Sequence, residues 1–142
     1  MNPPFQFEPA FQFGLELIEN AGKLILEKMH QPRDIEKKGV IDLVTDADKA
    51  CESYLIHHIL DKFPHHGIIA EESGMISGKE NHQWVIDPID GTTNYSRKLP
   101  FFCISIGYQA DGQTRFGLIY APALHQLYYA KHQHGAFRNH MP

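Results

Sequence analysis

Apolar residues step along the first thirty positions by fours and threes. Phe11, Leu15, Ile18, Gly22, Ile25 and Met29 make one stripe, which Leu17, Ala21 and Leu24 widen. That period predicts an amphipathic helix over about residues 8–29. Pro32 lies just beyond and cannot continue it. Ala47, Cys51, Leu55, Ile59 and Phe63 repeat the pattern, flanked by Tyr54 and Leu60, and predict a second helix closed by Pro64. Then the period changes. Residues 68–70 and 84–86 are short apolar runs that read as buried strands. Residues 102–108, 114–120 and 126–130 read as three more, with Asp111-Gly112 as a hairpin turn between the first two and Pro122 in the connection to the third. Residues 73–82, SGMISGKENH, read as a polar loop. The chain therefore has an α-then-β order, two helices followed by a run of strands.

Composition changes this picture little. With 142 residues the chain suffices for one domain with a sizeable core. A net charge of −4 gives no case for a nucleic-acid or membrane-surface partner. No apolar run approaches the ~20 residues of a membrane span. The opening MNPPFQFEPAF lacks the basic start and apolar stretch of a secretory signal. Cys51 and Cys103 stand apart without metal spacing, so two free thiols in a reducing cytoplasm are expected.

The chemistry gathers at strand ends. Glu71-Glu72 follows one short strand, and Asp87 and Asp90 follow another in WVIDPIDGTTNY. Neighbouring strands lie ~4.8 Å apart, so if these two pair, their acids meet at one end of a sheet. Carboxylates packed together repel unless cations neutralise them, and hard divalent ions, Mg²⁺ above all, suit oxygen ligands. Paired metals on acids recur in phosphoryl chemistry. Gly91-Thr92-Thr93-Asn94 would then let the backbone turn closely around a phosphate, with free N–H groups if a short helix starts there. The plainer reading is a turn, since Asp, Pro and Gly favour turns without any function.

A third segment, IDLVTDADKACESY, sets Asp42, Thr45, Asp46 and Asp48 before the second helix. Thr45 with Asp48 three residues on matches a helix-capping pattern, and a capping acid can also bind a metal's water. Ten histidines are many, but His57-His58, His65-His66, His132 and His134 are expected on helix or loop surfaces, without zinc spacing. Arg97 and Lys98 are expected to be solvated, and Tyr95 to pack.

Three segments in order, DLVTDADKACE, FPHHGIIAEESG and WVIDPIDGTTNY, resemble the inositol monophosphatase family of Mg²⁺-dependent, lithium-sensitive phosphatases. The similarity runs over about residues 17–139. The resemblance implies an α/β fold, an α+β layered sandwich whose first half is two helices packed on an antiparallel sheet, with residues 1–142 forming the metal-binding half. It implies that Glu71, Asp87 and the Ile89 carbonyl hold a first metal, that Asp87 and Asp90 share a second, and that Asp48 reaches a weaker one through water. Glu71 with Thr92 would activate the attacking water, Gly91 and Thr92 would meet the phosphate, and Lys37 would lie near the metals.

The implied reaction is hydrolysis of a small phosphate monoester, inositol monophosphate first. Histidinol phosphate, a nucleotide 3′-phosphate or a sugar bisphosphate are the alternatives within the family. The family's second half carries a W-D motif whose aspartate completes the second metal site. The one tryptophan here, Trp84, belongs to WVIDPIDGTTNY instead. The expected partners are a homodimer mate or a separate second half, and a non-catalytic remnant acting by association is the reading from another class. A sheet face left uncovered is expected to expose several of Phe102, Ile104, Ile106, Phe116, Leu118, Tyr120 and Tyr128.

Overall fold

The computed structural model describes residues 3–31 and 40–142, with residues 40–45 described by their backbone only. Two long helices, α1 (Glu8–His30) and α2 (Val40–Lys62), precede the sheet. The strands are β1 (Gly67–Ala70), β2 (Gly74–Ile76), β3 (His82–Asp90), β4 (Cys103–Ala110), β5 (Gln113–Ala121), β6 (Gln126–Lys131) and β7 (Ala136–Arg138). A short helix α3 (Thr92–Ser96) joins β3 to β4. The sheet runs β2-β1-β3-β4-β5-β6-β7. All pairs are antiparallel except β1 with β3, which run parallel, so the sheet is mixed rather than wholly antiparallel.

The apolar stripes read from the sequence are the core. Phe11, Ile18, Ala21 and Ile25 of α1 and Cys51, Leu55 and Ile59 of α2 are buried against Ile68, Trp84, Ile86, Ile104, Ile106, Tyr108, Phe116 and Leu118 of the sheet. A large buried side chain of this kind contributes ~1.5–3 kcal/mol by leaving water. The helix crosses the strands closely, because a Cβ on Gly22 would run into the Tyr120 ring. Asp111 and Gly112 both take positive φ, 55° and 76°, which is the tight hairpin geometry their sequence suggests.

Three expectations need correction. α2 starts at Val40, so Thr45 and Asp48 lie within it and not at its first turn. No proline or glycine stands between Val40 and Lys62, so nothing in the sequence stops the helix from starting early. The loop 73–82 contains β2, whose three residues are too few to show a period; β7 was missed for the same reason.

The third correction concerns the open side of the sheet. Phe102, Ile104, Ile106, Phe116 and Leu118 are all buried, because they belong to the helix-covered face. The opposite face carries a row of small residues in register across five strands: Val85, Gly107, Gly117, Ala130 and Ala136. They floor a cavity of about 470 Å³, beside which Ile119 and Tyr128 are exposed.

Candidate metal centre

β1 and β3 place the acids. Ala70 lies opposite Ile86 in the parallel register, so the next residues, Glu71 and Asp87, leave the same end of two adjacent strands. Asp87 and Asp90 are three apart, which in a regular strand puts them on opposite faces. The pairing with β4 slips between them: Asp87 faces Ser105 and Asp90 faces Cys103. Three steps on one strand against two on the other is a bulge of one extra residue, and it resets the alternation. Pro88 sits in that bulge, where no amide is needed for the ladder.

α2 brings the other acids. Asp48 is half-buried on it, and Glu52, one turn later on the same helical face, is fully buried. Burial pushes the Asp48 carboxyl up to about 7, reinforced by the charges of Glu71, Glu72, Asp87 and Glu52. Asp87 is pushed up to about 6, first by burial, then by the charge of Glu71 and a hydrogen bond with it, then by Asp90. The Ile89 amide pulls the other way. Burial first, and then the charges of Asp48, Glu52 and Asp87, hold the Cys51 thiol up at about 12, so it is a neutral core group.

Among the described residues, two buried side-chain atoms have no hydrogen-bond partner: Asp48 Oδ1 and Asp87 Oδ1. Both are carboxylate oxygens of the acid cluster. A buried polar atom without a partner costs ~1–3 kcal/mol, and like charges add to that cost. A hard divalent cation removes both, and an all-oxygen donor set suits Mg²⁺. The residues present therefore fit such an ion.

Beyond the acids, Ile89 is buried and Asp90 is exposed at the strand end. Gly91 takes φ +91°, and a Cβ there would come 2.8 Å from the Phe101 carbonyl oxygen. Only glycine suits this turn. Thr92 follows, exposed, as the first residue of α3. Tyr95 packs as expected, with its hydroxyl donating to the Ile25 carbonyl at 2.8 Å. Lys37 and its expected place near the metals fall outside the described residues.

The opposite end of the same strands holds a second cluster, of which the sequence reading put His66 on the surface and Glu80 and His82 in the polar loop. His66 is buried, and one ligand atom from each of His66, Glu80 and His82 lies within 4.8 Å of the others. The spacing is that of a possible metal site, but the proton inventory opposes one. Trp84 Nε1 donates to His66 Nδ1 at 3.0 Å. An indole nitrogen only donates, so Nδ1 supplies the single lone pair of a neutral imidazole and Nε2 carries the hydrogen. His66 Nε2 points at Glu80 Oε2, 3.5 Å away, and His82 Nδ1 meets the Tyr108 hydroxyl at 2.5 Å. His66 stacks between Phe63 and His82, with ring centres 4.5 and 4.7 Å away. The signal for its burial was the apolar strand that starts one residue later.

Comparison with known proteins identifies the family. The profile of the inositol monophosphatase family matches residues 7–142. The chain belongs to that family. It is 35% identical to inositol monophosphatase 3 of Solanum lycopersicum over 139 residues, which is 95% of this chain and 52% of the tomato protein. It is 39% identical to Nus factor SuhB of Escherichia coli K12 over 134 residues, 92% of this chain and 50% of SuhB. Inositol monophosphatase-II of Staphylococcus aureus MSSA476 superposes with a TM-score of 0.84 at 36% identity, covering 94% of this chain and 50% of the other. The chain thus spans about half the length of the relatives it matches. No helix among the described residues is long and apolar enough to cross a membrane.

Proposed function

We propose that residues 1–142 carry the metal-binding half of a Mg²⁺-dependent phosphatase centre acting on a small phosphate monoester, inositol monophosphate first. The observation that carries this reading is the pair of orphaned buried oxygens, Asp48 Oδ1 and Asp87 Oδ1, at one end of two parallel strands. Glu71, Asp87, Asp90 and the Ile89 carbonyl would hold the ions, with Asp48 reaching one through water. When bound, the metal supplies positive charge to the phosphoryl oxygens and acidity to a water.

The chain's own groups do the rest. Glu71, exposed at the end of β1 and close enough to Asp87 to share a hydrogen bond, accepts the proton that the attacking water gives up. The Thr92 hydroxyl orients that water. The backbone N–H groups of Gly91 and Thr92 meet the phosphate, and the left-handed turn at Gly91 keeps a side chain out of its way. Substrate choice among inositol monophosphate, histidinol phosphate, a nucleotide 3′-phosphate and a sugar bisphosphate belongs to the part of the relatives that residues 1–142 do not span. A homodimer mate or a separate second half is the proposed partner, and the cytoplasm the proposed compartment.

The test is titration calorimetry with Mn²⁺, paired with phosphate release from inositol 1-phosphate. One weakly bound ion is expected, lost in Asp87→Asn. Phosphate release by the chain alone is expected to fall at least ~100-fold below a family-like rate, since removing one transition-state contact costs ~10²–10³. Heats that Asp87→Asn leaves unchanged would remove the metal reading. A family-like rate abolished by Glu71→Gln would show that these residues suffice for catalysis.

A further inference from the structure

Glu52 is 2% exposed, yet no positive side chain is paired with it among the described residues. Its carboxylate instead takes three hydrogen bonds from one turn. The Glu72 amide donates to Oε2 at 3.1 Å, the Ser73 amide to Oε1 at 2.9 Å, and the Ser73 hydroxyl also to Oε1. That turn joins β1 to β2, since Ala70 pairs with Gly74, and Glu71 is its first residue. Asp48 lies one helical turn before Glu52 on the same face of α2.

We infer that Glu52 is a positioning residue: it clamps the Glu71–Ser73 turn onto α2, so that the Glu71 carboxylate is held against Asp48 and Asp87. The inference deepens the proposed function and rests on that reading of the acids. The physical need is direct. Glu71, Asp48 and Asp87 repel one another, and Glu71 sits on an exposed three-residue turn. Without an anchor the turn would swing outward and relieve the repulsion, at the cost of the site. Three donors face one group, so the group must accept only, and an ionised carboxylate is the side chain that does. Glutamine would aim an N–H at one of the two amides. Aspartate keeps the acceptors but is one methylene short.

The experiment compares wild type with Glu52→Gln, Glu52→Asp and Ser73→Ala by amide exchange, Mn²⁺ titration and metal-free melting. In Glu52→Gln the amides of residues 72 and 73 are expected to exchange at least ~10-fold faster, and Mn²⁺ to bind ~10-fold more weakly, in the range set by groups that orient metal ligands. Glu52→Asp should recover part of that affinity. Ser73→Ala removes one hydrogen bond only, and a ~3-fold weakening is expected, the size of a single net hydrogen bond.

A Glu52 that merely supports the fold would lower the melting temperature and leave both amides and the Mn²⁺ affinity of the folded chain unchanged; that result overturns the inference. If Glu52→Gln does not fold, Ser73→Ala decides, and unchanged exchange and affinity there overturn it. If wild type takes up no Mn²⁺, the metal reading of Asp87 fails, while amide exchange still judges the clamp.

Discussion

The two ends of strands β1 and β3 hold buried polar groups, and they treat them in opposite ways. At one end His66 accepts from Trp84, faces Glu80 with its other nitrogen, and stacks on His82, which meets Tyr108. At the other end Asp48 and Asp87 each bury an oxygen with no partner, beside more acids of the same sign. The histidine end matches each buried donor to an acceptor, so it needs nothing further and serves the fold. The acid end leaves two buried carboxylate oxygens without partners, which is where the proposed cation would act. Ligand-atom spacing alone points to the histidines. Counting lone pairs and protons points to the acids.

The sharpest way to break this contrast is to ask each end for a metal ion. Asp87→Asn is expected to weaken Mn²⁺ by at least ~100-fold, beyond the ~10–100-fold typical of outer-shell partners, while His82→Ala leaves it within about twofold of wild type. Calorimetry on both variants checks this, and a reversed order would exchange the roles of the two ends. Next in size, Trp84→Phe removes the His66 donor and should cost ~1–3 kcal/mol of stability, read by denaturant melts, with Mn²⁺ affinity unmoved. Asp48→Asn should do the reverse. Without metal at pH 8 it should gain about 1 kcal/mol, after discounting a half-exposed group for solvent screening, and it should bind Mn²⁺ less well.

The two ends also titrate with opposite sign. The Asp48 and Asp87 carboxyls are raised to about 7 and about 6, so the folded chain holds protons there that the unfolded chain releases near pH 4. Their contribution to stability is therefore full below pH 4 and is lost as pH rises through 6 and 7. His66 is lowered, mainly by burial and then by His82, so its contribution is full above the ordinary histidine value and is lost as pH falls below it. Melts of wild type and Asp48→Asn without metal, between pH 5 and 8, should show the variant losing less as pH rises. Mn²⁺ affinity should strengthen over that range as the carboxyls give up their protons. The smallest expected effect is on association: Ile119→Ser on the open sheet face should reduce self-association in sedimentation at low micromolar concentration, without touching metal affinity. An unchanged sedimentation profile would show that the open face is not what brings copies together.

Much of this was legible along the chain. The spacing of Phe11, Ile18 and Ile25, and of Cys51, Leu55 and Ile59, announced both helix faces, because a helix repeats its buried side every three or four residues wherever it packs. Glu71, Asp87, Asp90 and Gly91 were legible because acids and glycine at the end of an apolar run are costly to place there without a reason. Local sequence also shaped the Asp111-Gly112 turn, whose positive φ angles belong to those two residues.

Other features exist only once the chain has folded. Whether β1 and β3 would be neighbours, and parallel, depends on contacts across the sheet that no local period encodes, and that pairing sets Glu71 beside Asp87. The bulge that turns Asp87 and Asp90 the same way is a property of the match between β3 and β4, not of either strand. Glu52 looked like any polar residue in a helix until the turn it grips arrived from 20 residues away. His66 looked like a loop histidine until Trp84 came within 3.0 Å of it. Periodicity and turn chemistry act over a few residues and can be read in order. The partner of a buried donor or acceptor is chosen in space, so only the tertiary structure decided which end of the strands was matched and which kept two buried oxygens without partners.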